Sequence, residues 1–308
     1  MANQILRQVA LVSETPKIHY SELARVGAAL QKQMSRDFGP IWDVDSTVDA
    51  FDKLEDVPLG YWPMIVRDKI SYAAAGIHLD TDNQPMALIT YSPTWSLTAS
   101  HEALEMLADP FGNRLIAGDS PKPKQGRVEF LVEVSDPSEA EEFGYKVNGI
   151  LVSDFYTPSY FDPIEASGVR YSFTGAIKKP RQVLKGGYLS WHDPVSDHWW
   201  QEMFLTGAKS SFVDIGVLKG TGSLRSMIDR RTNPLVMKAL ETALPKKKPT
   251  STANATKSMM TGAAGATRLM SPLASSRSSV DSDSSVAKAK NWRLTIKDLL
   301  SDEPSNDR

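Results

Sequence analysis

Apolar residues recur along the first half of the chain at two spacings. Val9-Ala-Leu-Val12 is a short apolar run of strand type. From Ser21 onward, Leu23, Val26, Leu30 and Met34 return every three or four positions, which predicts a helix with one apolar face. Gly39-Pro40 should end it. Trp42 to Phe51 then alternates, with Trp42, Val44, Ser46, Val48 and Ala50 on one side, the period of a half-buried strand. Strand, helix and strand in this order predict an α/β unit whose sheet is covered on at least one face. Met64-Ile-Val66 and Met86 to Tyr91 are further strand candidates.

A helix is expected from about Thr98 to Ala108, capped by either Thr98 or Ser100 and stopped by Pro110. Val128 to Val134 reads as a strand, with Glu129, Leu131, Glu133 and Ser135 facing one way and Phe130, Val132 and Val134 the other. Tyr145 to Ser153 reads as a hairpin, because Asn148-Gly149 suits a type I′ turn. Residues 155–200 are rich in Pro, Gly, Tyr and Trp, which predicts long ordered loops around a few strands. Residues 221–244 return to a helical pattern through Leu235, Met237, Leu240 and Leu244. The expected fold is α/β (α+β): one mixed twisted sheet packed on a helix, with an irregular, loop-rich C-terminal half. Residues 1–244 would form one compact domain, with a loop-rich subdomain from about 155.

The pattern stops near Pro245. Lys246, Lys247 and Lys248 lead into Ser251–Lys290, whose forty positions include ten Ser, four Thr and eight Ala and no aromatic residue. Such a segment has too little apolar area to offset the entropy of ordering, so 245–290 is expected to be a disordered linker. In 291–300, Trp292, Ile296, Leu299 and Leu300 recur at helical spacing, which suits a short amphipathic segment. It would dock on its own body, bind a partner, or do neither. Residues 301–308 read as a disordered tail.

Composition narrows the function classes. With 308 residues and 41% hydrophobic positions, the chain can build a sizeable core. There is no cysteine, which excludes thiol catalysis, disulfides and thiolate metal sites. The formal net charge is −2, and from 245 onward eleven Lys/Arg face six Asp/Glu, leaving the body before it near −7. No specific nucleic-acid partner is expected, although a body–tail charge contact or weak polyanion binding by the tail stays open. No run is long and apolar enough for a membrane span, and the first residues do not read as a signal peptide. A cytoplasmic or otherwise intracellular site is therefore expected.

The sharpest chemical feature is Ser100-His-Glu-Ala-Leu-Glu-Met-Leu-Ala-Asp-Pro110. His101 and Glu105, four positions apart on a helix, project from one face and can reach one cation. Glu102 lies one step round the helix, where a carboxylate can take a proton from a polarised water and return it to a leaving amine. The same His–Glu spacing is also an ordinary surface pair. For a third ligand, Glu133 and Asp136 at the end of the 128–134 strand are the better candidates. Asp109 is about 12 Å along a continuous helix from His101 and suits the turn before Gly112-Asn113. Asp154 would support a ligand or cap a turn.

These residues resemble a zincin-type metallopeptidase, in which a His-Glu-x-x-His helix packs beneath a mixed sheet whose edge strand holds substrate. Gln84 to Tyr91 followed by Ser100 to Glu105 looks like that edge strand and helix. The resemblance implies Zn2+ as cofactor, His101 as first ligand, Glu102 as general base and Glu105 in place of the second histidine. A carboxylate there lowers the Lewis acidity of zinc. It further implies an extended peptide or protein substrate along Ala87–Thr90, cleaved by a metal-activated water. His192 and Tyr156 are candidate oxyanion donors, alongside His198 and Tyr160, and all four equally suit packed loops. The alternative is a non-catalytic binding or structural module. There, the acids and His101 form a salt-bridge network, or Glu105, Asp109, Glu133 and Asp136 hold Ca2+ or Mg2+.

Overall fold

The computed structural model describes residues 6–72, 74–81 and 84–232, together with residue 296. The chain is α+β, built on two five-stranded sheets rather than one. The first contains β1 (Arg7–Ser13), β2 (Ser46–Phe51), β3 (Trp62–Arg67), β4 (Gly76–Thr81) and β5 (Gln84–Thr90), in the order β2-β1-β3-β5-β4. All its neighbours are parallel except β4, which runs antiparallel to β5 and forms one edge. Gln84–Thr90 is thus an interior strand, and the edge role expected for it falls to β4.

Register explains the chemistry that follows. Leu11 pairs with Met64, Met64 with Ala87 and Ala87 with His78, so one face carries a continuous row that ends in an imidazole. Val12, Ile65, Leu88 and Ile77 form the matching row on the other face. The first face packs against two helices, α1 (Tyr20–Lys32) and, after the short α2 (Gly39–Trp42), α3 (Trp95–Ala108).

Gly39-Pro40 does not end the helical path. After α1 the chain widens into a π-helical stretch, Gln33–Phe38, and α2 follows directly. Proline sits in the first turn of α2, where its missing N–H costs nothing. Trp42 is therefore helical, and the alternating strand starts only at Ser46. The π turn places Gln33 inward. Its Nε2 donates to the Ser153 carbonyl at 2.9 Å, and its Oε1 accepts from Ser100 Oγ at 2.7 Å.

The C-terminal half is more regular than its composition implies. β6 (Leu115–Asp119), β7 (Arg127–Leu131), β10 (Tyr188–Asp193), β11 (His198–Met203) and β12 (Ser211–Gly216) form an antiparallel sheet in the order β12-β11-β10-β7-β6. The hairpin of β8 (Tyr145–Val147) and β9 (Ile150–Val152) has the expected turn, with Asn148 and Gly149 at φ +51° and +81°. Loops between the sheets are filled by stacked aromatics; Tyr156 lies on Tyr160 at 4.4 Å between ring centres. One apolar cluster runs from Val9 and Leu11 through α3 to Phe130 and Trp191, joining both sheets.

Residues 224–232 are helical, and Ile228 packs on Leu131 and Trp199. Leu235, Met237, Leu240 and Leu244 lie outside the described residues, as do 245–290 and 301–308. Of 291–300, only Ile296 is described.

Candidate metal centre

Helix α3 starts at Trp95, one residue after Thr94, so neither Thr98 nor Ser100 is its cap. Ser100 instead bolts the helix in place: its Oγ accepts from the Ser153 N–H at 2.9 Å while donating to Gln33. Ser96 Oγ donates to the Leu151 carbonyl at 2.9 Å, and Trp95 Nε1 to Glu22 Oε1 at 3.0 Å. Every residue from Ala99 to Ala108 is buried. His101 and Glu105 are therefore not a surface pair; they are 9% and 0% exposed.

Two carboxylates face the His101 ring. Its Nε2 is 3.1 Å from Asp136 Oδ1 and 3.4 Å from Glu105 Oε1. The Asp136–His101 contact is an ion pair at hydrogen-bond distance, and Asp136 Oδ2 has no hydrogen-bond partner among the described residues. Glu139 completes this group: His101, Asp136 and Glu139 each offer a ligand atom, all within 4.8 Å of one another. Asp136 comes from the buried 131–138 segment, whose regular strand stops at Leu131, and half-buried Glu139 follows it.

A second group meets on the other side of Glu105. His78 Nδ1 lies 3.7 Å from both Glu102 Oε2 and Glu105 Oε2, and neither His78 ring nitrogen has a hydrogen-bond partner among the described residues. β4 crosses α3 closely here. A Cβ on Gly76 would stand 2.6 Å from Glu102 Oε1 and from Thr98 Cγ2. Glycine is required at that point because a larger residue would push the edge strand off the helix.

The cluster has a fixed cation. Arg225 Nη1 bonds Glu105 Oε2 and lies 2.8 Å from Glu133 Oε1, while Arg225 Nε is 3.4 Å from Asp229 Oδ2. Glu133 thus belongs to a salt bridge, with Ser190 Oγ donating to its Oε2 at 3.4 Å. Alternation from β7 does not reach it, because the strand ends two residues earlier.

Asp109 stays at the end of α3, as the turn reading expects. Its Oδ2 accepts from the Arg114 N–H at 2.7 Å. That turn seats Arg225: the Gly112 carbonyl accepts from the Arg225 N–H at 3.0 Å, and Asn113 Oδ1 from the Leu224 N–H at 2.9 Å.

The remaining candidates divide. Tyr156 is fully buried, and its hydroxyl has no hydrogen-bond partner among the described residues. Burial, then Tyr160 and the fields of Glu105, Glu133 and Asp136 hold its phenol well above the usual range. Tyr160 donates to the Gln182 carbonyl. His192 is not brought into the cluster; its Nδ1 and Nε2 lie 3.0 Å and 3.1 Å from Glu129 and Asp197. His198 pairs with Asp214, and Asp154 caps a turn by accepting from Thr174.

Electrostatics follow from burying more acids than bases. Burial pulls the His101 imidazole down, but Glu105, Asp136 and Glu102 outweigh it and hold the ring well above its ordinary value. Burial pushes Glu105 up, yet Arg225 and His101 prevail and hold it far below the usual carboxylate range. Burial and neighbouring acids push Asp136 up and Glu133 well up, with Asp136 the leading neighbour for Glu133 and Glu105 for Asp136. Glu139 rises to about 8 through burial and then Asp136. Asp229 rises to about 6 through burial, against the pull of Arg225.

Glu139, Arg225 and Asp229 escaped the sequence reading, whereas His78, in Gly76-Ile-His-Leu79, reads equally as a strand or a turn residue and carries no site role there. His78 left a trace, as a lone polar side chain between Ile77 and Leu79. Arg225 left none, since it stands 120 positions from the carboxylate it pairs with. No family model matches the chain, and no curated protein or solved structure is significantly similar to it.

Proposed function

We propose that this chain is a metal-dependent hydrolase of extended peptides, with its cation held by His101, Asp136 and Glu139 and flanked by Glu105. The carrying observation is the convergence of His101, Asp136 and Glu139, whose ligand atoms lie within 4.8 Å of one another, with Asp136 Oδ2 lacking a hydrogen-bond partner among the described residues. Burying acids with too few bases costs roughly several kcal/mol, and a cation would lower that cost. One imidazole with several oxygens suits zinc or a harder divalent ion. When bound, such an ion polarises a carbonyl and makes water acidic enough to lose a proton near neutral pH.

The chain's own residues supply the rest. Glu102 follows His101 on α3 but carries its carboxylate toward His78, so as general base it would serve a water lying between the two groups, take its proton and pass it to the leaving amine. Glu105 divides its oxygens, Oε1 toward His101 and Oε2 to Arg225, and this fixes its carboxylate plane. Edge strand β4 runs over α3 with no second strand on its outer side among the described residues, so an extended peptide can add there by main-chain pairing. The mixed sheet with its antiparallel edge beside the helix supports the zincin resemblance. Tyr156, with its raised pKa, remains protonated and able to donate.

A second reading, a structural ion or charge cluster, draws on one observation: Glu102, Glu105, Glu133 and Asp136 are all at most 3% exposed. Metal analysis beside a peptide-cleavage screen of wild type and Glu102→Gln separates the two. The enzyme reading expects bound metal in both proteins and turnover only in wild type. Metal that raises the melting temperature of a chain with no turnover supports the structural site. A chain with no metal and no metal-induced stabilisation refutes the enzyme and the structural ion and leaves the charge cluster.

A further inference from the structure

Parallel strands bury both of their faces, so a mostly parallel sheet needs a layer on each side. In the first sheet, α1 and α3 cover the face of Leu11, Met64 and Ala87. The opposite row, Val12, Ile65, Leu88 and Ile77, is 0–4% exposed, and no described α-helix of the 6–232 body belongs to its cluster. Leu54, in a short 3-10 turn, with Val57 and Ile70 covers part. Beyond these and the strand residues Ala10 and Met86, the cluster includes Ile296, helical and 1% exposed, which returns from 64 positions beyond Thr232.

We propose that segment 291–300 of the same chain is the docking partner of this outer face, and that its docking braces the edge strand that carries His78. The sequence around Ile296 fits: Trp292, Ile296, Leu299 and Leu300 fall on one helical stripe. Reach is sufficient. A random-coil path of about sixty residues spans roughly 40–45 Å, and tethering of that length would supply an effective concentration on the order of a millimolar. A contact too weak to hold two separate molecules is therefore well populated within one.

The coupling to the site is geometric. Ile77 and His78 are neighbours on β4 and point to opposite faces. Ile77 belongs to the cluster that holds Ile296, while His78 faces Glu102 and Glu105. Among the described residues β4 is paired only through β5, so the segment's contact on Ile77 restrains a strand held on one side. This inference does not rest on the cation.

The chain has no cysteine, so Ile296→Cys in the full-length protein places a single, nearly isosteric thiol at the contact. Docking in cis predicts at least tenfold slower labelling by a disulfide reagent than a Ser285→Cys control, independent of protein concentration. Equal rates would overturn docking, and protection that grows with concentration would overturn the cis assignment in favour of a second copy. In parallel, Ile296→Asp should speed amide exchange across 76–81 at least tenfold while 46–51, on the far edge, stays unchanged. Unchanged exchange at 76–81 would overturn the brace.

Discussion

His101 Nε2 sits 3.1 Å from Asp136 Oδ1, and Asp136 Oδ2 has no hydrogen-bond partner among the described residues. Two side chains 35 positions apart, one on α3 and one in the short 3-10 turn Asp136–Ser138, thus approach one point. If that point is a cation site, Asp136→Asn should weaken Zn2+ affinity at least tenfold, and His101→Ala more. Glu133→Gln should leave it within a few-fold, since Glu133 is committed to Arg225 and Ser190. Competition against a chromophoric chelator measures all three. Equal losses at Asp136 and Glu133 would remove the distinction drawn between ligand and salt bridge.

The protonation pattern gives a pH dependence with a definite sign. In the metal-free fold, His101 is held above its ordinary value, Glu139 is raised to about 8 and Asp229 to about 6. The folded chain therefore binds more protons than the unfolded chain through this range. Stability from these groups is complete below their unfolded values and is lost as pH rises through the folded ones. The melting temperature of the metal-free protein should fall between pH 5.5 and 8. A cation must displace the same protons, so its stabilising effect should grow over that interval. Thermal scans with and without Zn2+ test this, and a melting temperature that rises with pH in the metal-free protein would contradict it.

Arg225 is the fixed countercharge to Glu105 and Glu133, so Arg225→Met should destabilise the fold by about 3–5 kcal/mol, the usual loss when one partner of a buried ion pair is removed. Lysine should restore little, because a point charge cannot serve Glu105, Glu133 and Asp229 from one planar fork. Gly112 offers a milder probe of the same seat. It has φ +59°, and a Cβ there would meet Arg225 Cβ at 3.0 Å, so Gly112→Ala should lower stability and loosen Arg225 without deleting a charge. Urea unfolding of the three variants ranks them, and a neutral Arg225→Met would show that the ion pairs contribute nothing net.

The share of this site that the sequence revealed follows contact range. Periodicity marked α3, and helical geometry alone put His101 beside Glu105. Asp136 was legible because it follows an apolar strand that had to end near the helix. Alternation failed at Glu133, since β7 stops at Leu131 and the chain then turns irregularly through buried positions. Pairings set by tertiary packing, such as Arg225 with Glu105 and Ile296 with the outer sheet face, carry no local periodic signal. The second sheet was obscured for a related reason: Trp, Tyr, Gly and Pro in 155–200 resemble loop composition, yet Trp191 and Trp200 are paired strand residues.

Ser100, adjacent to the proposed first ligand, separates stability from metal binding. Its hydroxyl accepts from the Ser153 N–H at 2.9 Å and donates to Gln33 Oε1 at 2.7 Å, all within the core. Ser100→Ala leaves a buried backbone donor and an amide oxygen unpaired, a loss of roughly 1–3 kcal/mol. Gln33 still holds Ser153 through its Nε2, so α3 should keep its place and His101 its direction. The expected outcome is a lower midpoint in urea with Zn2+ affinity within a few-fold of wild type. A large loss of affinity with unchanged stability would instead mean that this hydroxyl takes part in the metal centre.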